Sequence, residues 1–440
     1  MKKKNKIKNN KKIYISLSVD VLHHGHINLI NKAKQYGTLI VGLLTDKAIV
    51  ERKRLPLISY DNRKKILQNI DGVEKIVPQN EWSYVNNLKK IKPDIMVHGD
   101  DWISNEPEMR NETIKTLNEI GSKLVEIPHT KNISSSSLSQ RMFNQNMMPM
   151  NRMSSLKRIL KHKNFCRIIE THSPLSALIA ENTFIRNKDG SKNEFDGFWS
   201  SSLTDSTLKG KPDIEVLEIN QRLSNINEIF DVTSKPLIMD VDTGGKPEHF
   251  EINVKTIQRS GISGVIIEDK KGLKKNSLFG INVKQEQESI KEFSKKIKIG
   301  KKISDPEFLI IARIESLILE KPLSDATKRA DEYLAAGADA IMIHSRQKTS
   351  KEIFKFSNIF KKKYPEVPLV AVPSSYNSVR ENDLINNGFN IVIYANHLLR
   401  ASYPAMEKTV ISILKNRRSL EIDNQLMSIK KILELIPGTK

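Results

Sequence analysis

From residue 165 onward the sequence repeats one unit: a short apolar run that ends in polar side chains, then a segment of helix length. The runs fall at 165–170, 197–203, 237–242, 264–269, 308–315, 340–345, 369–374 and 390–396. Runs this short read as buried strands. Residues 323–336 show what lies between them, with Leu323, Ala326, Ala330, Tyr333 and Leu334 on one helical face and Gly337 as the stop. Eight strands alternating with helices predict a (β/α)8 barrel, placed at 155–440. Ahead of it, apolar runs at 13–19, 38–44, 95–98 and 124–127 alternate with helical patterns, which predicts an open parallel α/β sheet at 13–142. The Met- and Asn-rich stretch around Pro149 has neither period, so 143–154 is expected to be a linker.

Composition narrows the setting. At 440 residues the chain exceeds one ordinary hydrophobic core. Its single cysteine, Cys166, excludes an internal disulfide framework and suits a reducing cytoplasm. No apolar run is long enough to cross a bilayer, and the segment 13–22, interrupted by Asp20, does not read as a secretion signal. The net charge of +21 raises the question of nucleic acid, but seven lysines sit in the first twelve residues, a solvated tail, and the rest are scattered without interleaved aromatics. A nucleic-acid partner is therefore not expected, whereas small phosphorylated acids would be drawn by this field.

Barrels place their chemistry at the carboxyl ends of the strands. Those ends supply Trp199 and Ser201, Asp240 and Asp242, Glu268, Arg313, His344, Ser374 and Asn396. Asp240 and Asp242 are two apart, hence on one face of a regular strand, and Glu268 ends the next. Three hard carboxylates suit Mg²⁺, which keeps several waters, so not all three need touch it. Arg313 and His344 would neutralise a phosphoryl group from the other side. The loop after Glu268 carries Lys270, Lys271, Lys274, Lys275, Asn276 and Ser277, donors that can close over a phosphorylated anion.

These residues resemble the phosphoenolpyruvate mutase branch of the isocitrate lyase superfamily over roughly residues 155–435. The signature Glu-Asp-Lys, five residues, Asn-Ser stands at Glu268-Asp269-Lys270 and Asn276-Ser277. Trp199 to Ser201 with Asp213, Asp240 to Gly244, Arg313-Ile314-Glu315 and His344-Ser345 supply the remaining segments. The resemblance implies isomerisation of phosphoenolpyruvate to 3-phosphonopyruvate, which opens phosphonate biosynthesis. It further implies Mg²⁺ at Asp240, Asp242 and Glu268. Trp199, Ser201 and Leu203 would bind the organic part, and Arg313, His344, Asn276 and Ser201 the phosphoryl group, with Lys274 and Ser277 on the lid. Asp213 would either accept the phosphoryl group or orient a metaphosphate-like species. A homo-oligomer built through barrel helices is also implied. The loop lacks the cysteine of the related lyases. Phosphonopyruvate hydrolase, with a threonine-type residue where Asn276 stands, is the alternative activity. Gly272-Leu273 replaces the Phe-Pro common in the family and predicts a more flexible lid.

In the first domain His23-His24-Gly25-His26 follows an apolar run and opens an amphipathic segment, an arrangement able to hold nucleotide phosphates. With Lys53-Arg54, Tyr60, Arg63, Gly99-Asp100-Asp101-Trp102 and the serine run Ser134 to Ser137, residues 11–145 are similar to the Rossmann-like cytidylyltransferase family. That likeness implies transfer of CMP from CTP to a phosphonate or phosphate, with His23, His26, Lys53, Arg63, Asp100, Ser134 and Ser135 at the nucleotide. Two departures stand out. The family glycine before the histidines is replaced within Leu17 to Asp20, and its Arg-Thr-x-Gly reads His129-Thr130-Lys131-Asn132. Alternatives are a nucleotide-binding domain without catalysis, or a binding protein tethered by its basic tail.

Overall fold

A computed structural model describes residues 11–52, 56, 58–128, 148–187, 191–272 and 274–436. Most of the basic tail, Lys53, Arg54, the 129–147 stretch with Ser134 and Ser135, and Leu273 lie outside the described residues. In the first domain β1 (Lys12–Leu17), β2 (Thr38–Leu44), β3 (Val73–Gln79), β4 (Ile95–Gly99) and β5 (Lys123–Ile127) form a sheet of order β3-β2-β1-β4-β5, with all neighbours parallel. The order reverses at β1, which opens a crevice at its carboxyl end, beside β4. Strand β3 escaped the sequence pattern. It is an edge strand with Glu74 and Lys75 exposed and Pro78 near its end, so it never shows an apolar run. The expected tail also ends early, because β1 begins at Lys12, whose amide bonds Asp94.

The second domain is the expected barrel. Strands β6 (Cys166–Glu170), β7 (Gly197–Ser200), β8 (Leu237–Asp240), β9 (Gly264–Glu268), β10 (Leu309–Ile314), β11 (Ala340–Ile343), β12 (Leu369–Ala371) and β13 (Ile391–Tyr394) pair in parallel. Pairing of β13 with β6, Ile391 opposite Cys166 and Ile393 opposite Ile168, closes the ring. Strand parity then builds two cores. On β10, Leu309 and Ile311 pack inside the barrel, whereas Ile310, Ala312 and Ile314 pack outward against helices.

Two boundaries differ from the sequence reading. The linker expected to reach 154 is helical from Pro149: helix Pro149–His162 buries Arg152, Met153 and Leu156. Leu156 joins the inner core and Met153 the outer one, while Met148 and Met150 stay exposed, so no single apolar stripe marks the helix. It closes the base of the barrel, with Ser263 Oγ donating to the Arg152 carbonyl and Lys157 Nζ to the Pro306 carbonyl. At the other boundary the long helix His397–Asn416 buries none of its residues, so from there the chain extends from the barrel instead of completing it.

Candidate active site

The inward row of each strand continues into a polar residue at the mouth. Ser201 follows Trp199, Asp240 follows Ile238, Glu268 follows Ile266, Arg313 follows Ile311 and His344 follows Met342, each two positions on. Ser201, Asp240, Arg313 and His344 line a pocket partly open to solvent, together with Trp199, Leu203 and Asp213, whereas Glu268 and Asp242 are not among its lining residues. The lid residues Lys274, Asn276 and Ser277 line it too. Asp242 arrives differently from expected. Strand β8 ends at Asp240, and Asp242 reaches the mouth through a left-handed turn (φ 56°) in which its amide donates to Asp240 Oδ1 at 3.1 Å.

The loop after β9 is folded onto this mouth. Lys274 Nζ donates to Ser202 Oγ at 2.5 Å, to Asp213 Oδ1 at 2.8 Å and to Asp242 Oδ1. Asn276 Nδ2 donates to the other Asp213 oxygen at 3.0 Å. Ser277 Oγ donates to Glu315 Oε2 at 2.5 Å and accepts from Arg313 Nη2 and Lys270 Nζ, both at 2.6 Å. The lid is thus anchored on one side by Asp213 and on the other by the Arg313–Glu315 pair.

The three carboxylates do not converge as ligands of one bare ion: among the described residues no group of three acidic, histidine or cysteine side chains is placed to hold a metal. Lys274 stands among Asp240, Asp242 and Asp213 as their counter-ion, and these acids outweigh its burial and raise its basicity. Burial raises both aspartates; Lys274, Arg313 and Arg222 overcome it at Asp240, but at Asp242 burial and the Asp240 charge prevail. Glu268 lies 3.2 Å from Arg313 Nη2 and 3.6 Å from Lys270 Nζ, yet neither of its buried oxygens receives an aligned hydrogen bond. Burial therefore pushes it up to about 7. Glu315 is as buried, but Arg313, Lys270 and His344 outweigh burial and hold it well below the usual range. Burial, then Arg313, lowers His344, so its neutral Nδ1 can accept from Arg313 Nη2 at 3.0 Å.

The sequence assigned no role to several residues of this site, although Glu315 and Asp269 stand within the family segments. Glu315 shares the strand parity of Arg313, which could have found it. Arg222, on helix Ile219–Phe230, supports the mouth from below: Nη1 donates to the Asp240 carbonyl at 2.5 Å and Nε to Asp205 Oδ2 at 2.8 Å. A lone arginine directly before the buried Leu223, and four residues before the buried Ile226, was the available clue. Asp269 turns away from the mouth, accepting from Tyr333 at 2.7 Å, Gln287 at 2.8 Å and Arg329 at 3.1 Å, and its Oδ1 fixes the Glu315 amide at 2.9 Å.

In the first domain His23 caps helix His24–Ala33. Its Nδ1 accepts from the Gly25 amide at 3.1 Å, His26 Nδ1 lies 3.4 Å from the His23 amide, and the two rings are 3.9 Å apart. The replaced glycine has a structural counterpart, because Val19, just ahead, is held at φ 50°. That conformation costs a β-branched residue roughly 1–3 kcal/mol. Asp100 lies just past β4, at the crevice. Arg63, expected at the nucleotide, is turned into the protein instead. It is fully buried, donating to the carbonyls of Ser18, Leu44 and Ile58 and to Asp46 Oδ1 at 2.5–2.9 Å.

Residues 156–414 match the family of phosphoenolpyruvate phosphomutases and residues 18–141 the cytidylyltransferase-like family. The phosphoenolpyruvate phosphomutase of Tetrahymena pyriformis is 34% identical over 282 residues, 64% of this chain and 89% of that protein. The phosphonopyruvate hydrolase of Variovorax sp. (strain Pal2) is 36% identical over 268 residues, 60% of this chain and 87% of that protein. Glycerol-3-phosphate cytidylyltransferase of Bacillus subtilis is 31% identical over 132 residues, 30% of this chain and 95% of that protein. Among solved structures, the phosphoenolpyruvate phosphomutase of Streptomyces platensis subsp. rosaceus superposes with a TM-score of 0.57 at 33% identity, over 64% of this chain and 93% of that one. A phosphonopyruvate hydrolase in complex with oxalate and Mg²⁺ gives 0.56 at 34% identity, over 64% and 94%.

Proposed function

Since the chain belongs to the phosphoenolpyruvate phosphomutase family, with a cytidylyltransferase-like domain ahead of it, we propose that the barrel is an isomerase interconverting phosphoenolpyruvate and 3-phosphonopyruvate. The observation that carries this is Asn276 on the folded lid, its amide bonded to Asp213. An amide there donates to a migrating phosphoryl group and presents no hydroxyl to carry water in, as the alternative hydrolase reading would require. Incubation with Mg²⁺ and phosphonopyruvate decides: phosphoenolpyruvate supports the mutase, whereas pyruvate with inorganic phosphate supports the hydrolase.

Magnesium fits the donors at the mouth. Asp240, Asp242 and Glu268 offer hard oxygens, and the two Glu268 oxygens are buried without a hydrogen-bond donor. Because they do not meet at one point, waters would complete the shell. Bound there, the ion would supply positive charge to the carboxylate and enolate oxygens of the substrate. The protein's own groups do the rest. Trp199, Ser201 and Leu203 wall the three-carbon skeleton, while Arg313, His344, Asn276 and Ser201 surround the phosphoryl group. As the bond from phosphorus to the enol oxygen breaks, the enolate electron pair at C3 forms the carbon–phosphorus bond, and no proton is gained or lost. Both Asp213 oxygens are engaged by lid donors, which favours an orienting role for Asp213 over phosphoryl acceptance.

For the first domain we propose transfer of CMP from CTP to a phosphonate or phosphate, with His23 and His26 at the phosphates and Asp100 beside them. Lys53, Ser134 and Ser135 belong to the same proposal. ³¹P NMR with CTP and candidate phosphonates tests it. A homo-oligomer accords with helix His397–Asn416, whose Tyr403, Met406, Val410, Ile411 and Leu414 are all exposed. No helix among the described residues is long and apolar enough to cross a membrane. The one cysteine is buried, in keeping with a cytoplasmic setting.

A further inference from the structure

Helix Pro149–His162 serves both domains. One side closes the barrel base through Met153 and Leu156. The other packs on the first domain's helix Asp46–Val50. There Arg158 Nη2 donates to the Pro56 carbonyl at 2.6 Å, and His162 Nε2 lies 3.8 Å from Asp46 Oδ2, a polar contact too long for a hydrogen bond. Asp46 is itself buried. It accepts from Arg63 Nη2 at 2.5 Å and from the Tyr60 amide at 3.2 Å.

From Asp46 the contacts run on to the nucleotide loop. Arg63 Nη1 donates to the Ser18 carbonyl at 2.5 Å, one residue before the left-handed Val19, and its Nε donates to the Ile58 carbonyl. The Ile58 amide returns a bond to Asp20 Oδ1 at 3.1 Å. A turn in an unfavourable conformation persists only where its surroundings over-determine it. Here those surroundings are Arg63, Asp46, Pro56 and residues 58–60, and Pro56 is in turn held by a helix of the barrel. His23 and His26 stand at the end of this turn.

We propose that Arg158 and His162, which belong to the barrel's base helix, are positioning residues for the nucleotide site of the first domain, so that CTP binding there depends on the barrel. This rests on the nucleotidyltransferase reading of residues 18–141. Neither residue reaches the barrel mouth, which lies at the opposite end of the strands.

The test uses the full chain as wild type, Arg158→Ala, Arg158→Lys and the Arg158→Ala/His162→Ala pair. CTP is titrated calorimetrically and thermal unfolding is followed on the same preparations. Arg158→Ala should weaken CTP binding by about tenfold, the scale of one charge-assisted hydrogen bond, with partial rescue in Arg158→Lys and an unchanged unfolding profile. Equal CTP affinity in wild type and the double variant would overturn the inference while leaving the nucleotidyltransferase reading intact. CTP binding lost together with the cooperative unfolding transition would overturn the positioning role in favour of plain structural support. A wild type that binds no CTP would overturn the nucleotidyltransferase reading itself, and the inference with it.

Discussion

Replacing Lys274 with methionine probes the electrostatics of the barrel mouth without requiring turnover. The ammonium is buried among Ser202, Asp213 and Asp242, with Asp240 and Glu268 also raising its basicity. Methionine keeps the length of the side chain and removes its charge, leaving Asp240 with Arg313 and Arg222 and Asp242 with Arg222 as the nearby cations. Breaking a buried ion pair costs about 3–5 kcal/mol, and a large domain loses about 2 °C per kcal/mol, so the melting temperature in EDTA should fall by roughly 6–10 °C. Saturating Mg²⁺ stabilises the protein by about 2.7 kcal/mol at a hundredfold excess over its Kd. At the proposed site the incoming ion would displace Lys274 in the wild type, whereas in the variant it would meet carboxylates without that counter-ion, so the variant should gain more. Calorimetric scans with EDTA and with Mg²⁺ measure both effects. A variant as stable as the wild type in EDTA, or one gaining no more from Mg²⁺, would refute the counter-ion role of Lys274.

Other sites give sharper chemical readouts. Asn276→Thr should divert phosphonopyruvate toward pyruvate and inorganic phosphate, visible by ³¹P NMR, whereas a product mixture identical to wild type would remove Asn276 from the argument. Glu315 has a folded pKa depressed below its ordinary 4.5, so its contribution to stability is present above that pH and is lost as the pH falls through the folded value. Glu315→Gln should therefore trail the wild type by about 3 kcal/mol in urea unfolding at pH 7, with the gap closing in acid. Truncation after residue 396 removes the exposed apolar helix and should shift light-scattering mass to that of one chain; an unchanged mass would place the contact elsewhere.

The barrel was readable because its strands are buried on both faces and each announces itself as an apolar run. The mouth followed from strand parity, which takes Ile238 to Asp240 and Ile311 to Arg313 without further information. Features that depend on backbone geometry were not readable in the same way. Nothing in Asp240-Val241-Asp242 says that the strand stops and the second aspartate arrives through a left-handed turn. Arg63 looked like a phosphate ligand because a buried guanidinium and an exposed one are the same letter; only the carbonyls of Ser18, Leu44 and Ile58 reveal its use. The base helix was hidden because its apolar side chains divide between two cores, and β3 because an edge strand need not be apolar.

Sealing the base by helix Pro149–His162 gives the barrel one doorway. Substrate and product pass the same lid, and the first domain is attached at the walled-off end. On the proposed activity, a keto acid made at the doorway would leave into bulk water and would not be handed through the protein. Covalent fusion gives the two domains equal copy number and a shared helix, not a private channel.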